Sequence, residues 1–253
     1  MEAILERIRQ LAAPFGLNLI GTTSVAAYDA DAPPTMRVRD IAPEARSIVL
    51  IANGGGDFWR AFRAFADANP GWSDRANPLD DFTRAVVENE IVAPLTTSVE
   101  RPIPVYPFMV DGPSLNFMDL GKRAGLAGPS ILGVVVNPMY GPWIAFRAAL
   151  LLDRVIDQPG DAAGFDPCPT CTARSCITSC PASAVSPVSG WDIPRCLTHR
   201  VEQEPDCSAR CHARIACVLG PQHRYPDDEI AYHQMRALRA MRPYYDQHLR
   251  KQR

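Results

Sequence analysis

All eight cysteines of this chain fall between Cys168 and Cys217, and the residues before Cys168 have none. Thiols gathered this tightly serve either as disulfide staples or as metal ligands, and the compartment decides between the two. The chain opens Met1-Glu2-Ala3-Ile4-Leu5-Glu6-Arg7-Ile8, a charged, amphipathic start without the apolar stretch of a secretory signal. The expectation is a cytoplasmic protein, where a reducing environment disfavours disulfides and leaves the thiols to metals. A formal net charge of -2 excludes a generic basic nucleic-acid binder. A hydrophobic content of 47% excludes a wholly disordered chain.

The first four cysteines, Cys168, Cys171, Cys176 and Cys180, are followed by Pro181 and read C-x2-C-x4-C-x3-C-P. The bacterial ferredoxin run is C-x2-C-x2-C-x3-C-P, so the two differ only by two extra residues in the middle gap. A cubane cluster needs four thiolates around a compact core. Three closely spaced cysteines on a loop wrap three irons, and the fourth, beside a helix-opening proline, serves a second cluster. Cys196, Cys207, Cys211 and Cys217 complete the ligands for two 4Fe–4S clusters with none left over. Ferredoxin logic gives Cys168, Cys171, Cys176 and Cys217 to one cluster, and Cys180, Cys196, Cys207 and Cys211 to the other. The second half departs further from the pattern, with C-x3-C-x5-C and Val218 in place of a proline, so a different crossover stays open. Zinc is the alternative, since it also takes four thiolates, but its paired C-x2-C knuckles are here reduced to one. His199 and His212 stand among the cysteines and are expected beside the sites instead of as ligands, because eight thiols already suffice.

The rest of the chain alternates helix-like and strand-like segments. Ile4, Leu5, Ile8 and Leu11 mark one face of a first helix. Strands are expected at 17–22, 47–51 and 103–108, and helices at 58–68, from 77 through 91, at 116–125 and at 227–242. No charge occurs from Ala124 to Phe146, but Pro129, Asn137, Pro138, Gly141 and Pro142 interrupt the stretch. Two buried strands, 131–136 and 143–152, around a turn explain it better than a membrane span. Residues 157–164 read as a linker. The result is an α+β chain: a sandwich domain over 1–155, then a small cysteine-rich domain with a C-terminal helix over 156–253.

Several segments of the first domain resemble the cobalamin-processing CblC-type family. They are Pro14-Phe15-Gly16-Leu17, Ile48-Val49-Leu50-Ile51, Asn77-Pro78-Leu79-Asp80 and Asn137-Pro138-Met139-Tyr140-Gly141-Pro142-Trp143-Ile144-Ala145-Phe146-Arg147. The family's form of the last is approximately H-P-x-F-G-G-W-F-A-I-R, so Asn137 stands for its histidine and Pro142 for its second glycine. The cysteine half resembles the ferredoxin module of epoxyqueuosine reductases and reductive dehalogenases, with Cys196-Leu197-Thr198 between the two cysteine runs. The resemblance implies a CblC-like, nitroreductase-related α/β sandwich holding cobalamin, followed by a ferredoxin-like domain with two 4Fe–4S clusters. FMN is left open, because the related fold binds it. The aspartate-bearing active-site segment of an epoxyqueuosine reductase is not found, so that substrate is not carried over.

Asn137, Tyr140, Trp143 and Arg147 are the candidates for lining a cofactor cavity. The competing reading of the first three is turn chemistry. For Arg147, inside an apolar run, it is a buried ion pair. Gly54-Gly55-Gly56 reads as a turn more readily than as a phosphate cradle. The arginines Arg236, Arg239 and Arg242 read as a solvated face, or as a docking surface for an acidic redox partner. The resulting expectation is an iron–sulfur oxidoreductase passing electrons from a donor protein to a corrinoid or a small substrate. The alternative is a non-catalytic ferredoxin-type carrier whose first domain only docks a partner.

Overall fold

Ser47-Ile48-Val49-Leu50-Ile51 combines β-branched and leucine side chains without a charge, and it becomes the centre of a sheet. A computed structural model describes residues 2–96, 101–109, 112, 114–156, 160, 162–203 and 207–250. Contacts group the chain into two units, Met1–Gly128 with Ile144–Gly164, and Pro129–Trp143 with Phe165–Arg253. Residues 129–143, placed with the earlier domain by composition, group with the cysteine segment.

The first unit holds β1 (Leu19–Ser24), β2 (Ser47–Gly54), β3 (Ile103–Val105) and β4 (Ile144–Leu152). They form one antiparallel sheet in the order β1-β2-β4-β3. Its helices are α1 (Glu2–Ala12), α2 (Val25–Asp31), α3 (Asp57–Ala68), α4 (Pro78–Ala85), α5 (Ala93–Leu95) and α6 (Phe117–Arg123). Every residue of β2 is buried, as expected of a strand covered on both faces. Ile48, Leu50 and Ala52 meet Ala149 and Leu151 of β4, Tyr28 of α2 and Leu120 of α6 in one cluster. Side chains alternate along a strand, so Val49 and Ile51 face the other way, on the side where α3 packs on β2. In α3, Phe58, Trp59, Phe62 and Ala66 make the buried stripe. Phe58, Phe62 and Phe65 each lie within 5.7 Å of the Phe82 ring. Fully burying such a side chain contributes roughly 1.5–3 kcal/mol.

Local chemistry sets the boundaries. Pro78 opens α4, where its missing N–H costs nothing. The helix then continues as a π-helical stretch, Val86–Val92, into α5. Gly55 and Gly56 form the bend between β2 and α3. Asn18 brackets Gly54 with two hydrogen bonds, and the Asn53 amide donates to the Gly55 carbonyl. Gly16 sits at φ 74°, with the backbone of Asp57 only 2.5 Å from where a Cβ would stand. Only glycine allows that approach to the start of α3.

Half of the expected hairpin forms. Residues 144–152 become β4, but 131–134 are turn and bend, and no strand forms over 131–136. Ser130 Oγ accepts from Leu132 N at 3.2 Å and donates to Val134 O at 2.5 Å, and Gly133 turns at φ 74°. β4 is held along one edge by β2, and on the other β3 pairs with it over Ala149–Leu151. The turn beyond it does form, closed by the Asn137–Gly141 bridge. The strand expected over 103–108 stops at Val105, before Pro107. In the expected linker, Gly160 and Ala162 bond the carbonyls of Ala124 and Gly125, while 157–159 and 161 lie outside the described residues.

The second unit is built from short pieces: α7 (Ser175–Thr178), β5 (Val185–Ser186), β6 (Gly190–Trp191), α8 (Ile193–Glu202) and α9 (His212–Ile215), then the longer α10 (Asp227–Tyr244). Asp192 caps α8 by accepting from Arg195 N at 2.9 Å, one turn before Cys196 is locked in place. Leu197 of α8 packs with Leu238 and Tyr245, and Trp143 packs with Tyr225 and Ile230. Among the described residues, no helix is long and apolar enough to cross a membrane.

Candidate metal centre

None of the eight cysteines, all of them described, is in a disulfide. Cys168 and Cys171 lie on a turn closed by Cys171 N donating to Cys168 O at 3.3 Å. Arg174, in the left-handed region at φ 44°, reverses the chain into α7, which carries Cys176. Cys180 follows α7. Cys211 stands immediately before α9 and Cys217 just after it, and α7 packs against α9. Two short helices with cysteines at their ends thus bring thiols from both halves of the segment together.

Cys168, Cys171, Cys176 and Cys217 line one cavity of about 720 Å³. Burial pushes the Cys176 thiol up from its ordinary pKa, and the neighbouring Cys217, Cys168 and Cys171 push it further. Burial also raises Cys217, with Cys168 and Cys171 adding to it against a hydrogen bond from the Leu219 backbone. These four thiols therefore face one another across a shared space.

Cys180 and Cys211 gather around Cys196. Burial raises its thiol, and Cys211 and Cys180 add to the rise, while a hydrogen bond from Trp191 and the charge of Arg200 oppose it. Ala184 N donates to Cys180 Sγ at 3.4 Å. Cys207 is buried, and its carbonyl accepts from Arg200 Nε at 3.2 Å, which ties it to α8. His199 Nε2 is buried with no hydrogen-bond partner among the described residues. His199 lines a separate 560 Å³ hollow with Arg195 and Glu202.

The donor set suits a cluster. A cubane takes each thiolate on a separate iron, so its ligands stand around a volume. A single zinc would draw all four to about 2.3 Å from one point. Among the described residues, no group of three or more His, Cys, Asp or Glu side chains is arranged to hold a metal ion.

The cavity candidates divide between the units. Asn137, Tyr140 and Trp143 lie in the second. Asn137 Oδ1 accepts from Met139 N and Tyr140 N at 2.9 and 3.0 Å, which is turn chemistry. The Tyr140 ring meets His223 at 4.6 Å. Trp143 is 1% exposed, with the Arg214 guanidinium 4.8 Å over its ring and donating to Pro142 O. Arg147 lies in the first unit, at a bulge where β4 has one residue more than β2. It is buried, its Nε donates to Asn53 Oδ1 at 2.7 Å, and its guanidinium stacks 4.4 Å over Phe58. Trp191 and Arg200 are contacts of the site that the sequence reading did not single out. Arg200 carries a faint signal, one helical turn after Cys196. Trp191 carries none, because the β5–β6 hairpin is what delivers it.

No protein-family model and no curated protein matches the chain. Solved structures do. An epoxyqueuosine reductase matches with a TM-score of 0.54 at 18% identity, over 91% of this chain and 71% of that one. A catabolic reductive dehalogenase, in complex with 3-bromo-4-hydroxybenzoic acid, matches with 0.54 at 16%, over 94% of this chain and 35% of that one. A B12-trafficking CblC protein of C. elegans aligns with 0.48 at 15%, over 96% of both. The chain has the fold of the epoxyqueuosine reductase and spans about a third of the dehalogenase. The fold class is as expected, mixed helix and sheet with all eight cysteines in the C-terminal region.

Proposed function

We propose that this chain is an iron–sulfur oxidoreductase that passes electrons through two 4Fe–4S clusters to a corrinoid held by its first unit. The observation carrying this reading is the cavity ringed by Cys168, Cys171, Cys176 and Cys217, with Cys180, Cys196 and Cys211 gathered separately and Cys207 tied to them by Arg200. Clusters of this kind supply one-electron steps, at potentials that reach roughly -700 mV at the low end. A corrinoid would supply the bond chemistry on such electrons, either its own reduction and loss of its upper ligand or reduction of a small substrate. The epoxyqueuosine reductase and the reductive dehalogenase, each matching with a TM-score of 0.54, are reductases by name, which supports the oxidoreductase class.

The chain's own residues give the iron sites their setting. Burial withdraws the Cys196 and Cys217 thiols in part from water, and backbone and indole N–H groups point at sulfurs of the group. FMN is the second candidate for the first unit, and an acidic donor protein is the proposed partner.

The deciding experiment is anaerobic iron and sulfide analysis with the visible spectrum, before and after adding cob(II)alamin or FMN. The proposal expects about eight irons per chain, a broad absorbance bleached by dithionite, and a spectral change with cobalamin. Binding of neither cofactor would leave a ferredoxin-type electron carrier. Zinc in place of iron would end the redox reading.

A further inference from the structure

Near Cys196 the structure places a buried charge that the iron ligands do not require. Arg200 is 7% exposed, on α8 one turn beyond Cys196. Its Nε donates to the Cys207 carbonyl at 3.2 Å, and its Nη2 donates to the Gln234 carbonyl on α10 at 2.7 Å. Two backbone acceptors therefore fix the guanidinium between α8, α10 and the Cys207 loop. Arginine stays protonated even when buried. A charge held out of water is screened little by salt.

A second feature acts on the same thiol. The Trp191 indole donates to the sulfur of Cys196. The indole is held from behind by Gly133, where a Cβ would come 2.2 Å from the ring. The other thiol group differs. Backbone N–H groups also meet its sulfurs. Arg174, the cation described next to it, reaches the Cys171 carbonyl at 3.4 Å but is exposed to water. Arg214, between Cys211 and Cys217 in sequence, is turned onto Pro142 O and the rings of Trp143 and Tyr225.

We propose that Arg200 and Trp191 raise the reduction potential of the cluster held by Cys180, Cys196, Cys207 and Cys211, making it the higher of the two. The inference rests on the cluster reading above. Reduction adds one electron to the cluster and makes it more negative by one charge. A fixed cation and N–H donors aimed at its sulfurs stabilise that product over the oxidised form. Electrons from an external one-electron donor then settle first on this cluster. Arg200 and Trp191 act through the sulfur ligands, so they are positioning residues.

Anaerobic potentiometric titration of the full chain, with dithionite as reductant and paramagnetic resonance as readout, tests this. The wild type should show two separate one-electron steps. Cys176→Ser, which empties the other group, should leave only the upper step. Trp191→Phe keeps the ring against Gly133 and removes the N–H, and it should lower the upper step without moving the lower one. Arg200→Gln should lower the upper step further, and Arg200→Lys should hold it above the Arg200→Gln value. Iron is counted on each variant, and if Arg200→Gln does not load iron, Trp191→Phe decides. Two steps at one potential, or a Trp191→Phe protein with full iron whose upper step stays in place, would overturn the inference while the clusters stand. A chain that holds zinc overturns the function proposed above instead.

Discussion

At the residue scale, buried polar groups hold the first unit's chain in register. Ser47 opens β2 fully buried, and its Oγ accepts from Ile156 N at 2.7 Å and donates to Ile156 O at 3.4 Å. The hydroxyl fastens the chain leaving β4 onto the start of β2. Ser47→Ala would leave both backbone groups of Ile156 without this partner, at a cost of about 1–3 kcal/mol. Urea unfolding should show the midpoint falling with the slope unchanged. Tyr28 and Tyr106 give a pH-dependent test of the same core. Burial raises the pKa of both phenols above 10.0; for Tyr106, the charge of Glu88, which accepts its hydroxyl, raises it further. A folded-state pKa above the unfolded value means the native state holds its protons more tightly. The stabilisation is then fully present below pH 10 and lost as pH climbs through the folded pKa values. Thermal unfolding followed from pH 8 to 11 should show stability falling past about 10, and Tyr106→Phe should flatten the fall.

At the scale of elements, the segment 137–143 shows how little room the fold leaves. Gly141 has φ 57° and lies with the Leu219 carbonyl 2.0 Å from where a Cβ would stand, while Gly220, also at φ 57°, faces the backbone of Tyr140. Backbone cannot retreat as a side-chain end can. Gly141→Ala should therefore cost about 2 kcal/mol or more from strain and overlap together, seen as a lower melting temperature. Gly71→Ala, with open space around its Cβ, keeps only the strain of its φ of 84° and should cost less. The same segment marks the limit of what the sequence reveals. The runs that became β2, β4, α3 and α10 were legible because their periodicity is local. The run 131–136 was equally apolar and charge-free, yet it turns and bends, because the Ser130 hydroxyl and the left-handed Gly133 reverse the chain locally. The gathering of cysteines in one segment was legible for the same local reason, since all eight lie between Cys168 and Cys217. Trp191 and Arg200 were not, because a hairpin and a helix–helix contact deliver them.

At the scale of the whole molecule, the two units differ in how they reach stability. Most buried hydrophobic side chains belong to the first, around a sheet covered on both faces. The cysteine segment of the second has four-residue helices and two-residue strands. Helices shorter than about 12 residues are marginal by themselves in water. Small metal-binding domains draw folding energy from the bound metal, and the proposed clusters would supply it here. Burial holds the Cys176, Cys196 and Cys217 thiols protonated further up the pH scale, so ligation must release those protons. Iron retention should accordingly weaken as the pH falls, which iron counts after equilibration at successive pH values would check. Stripping the iron anaerobically with a chelator should then unfold the chain in part. Amide hydrogen exchange read by mass spectrometry should lose protection across 165–226, while β2 and β4 keep theirs. Equal protection before and after stripping would mean that Leu197, Leu238, Tyr245 and their neighbours hold the second unit without help, and that its thiols are ligands placed on an already stable frame.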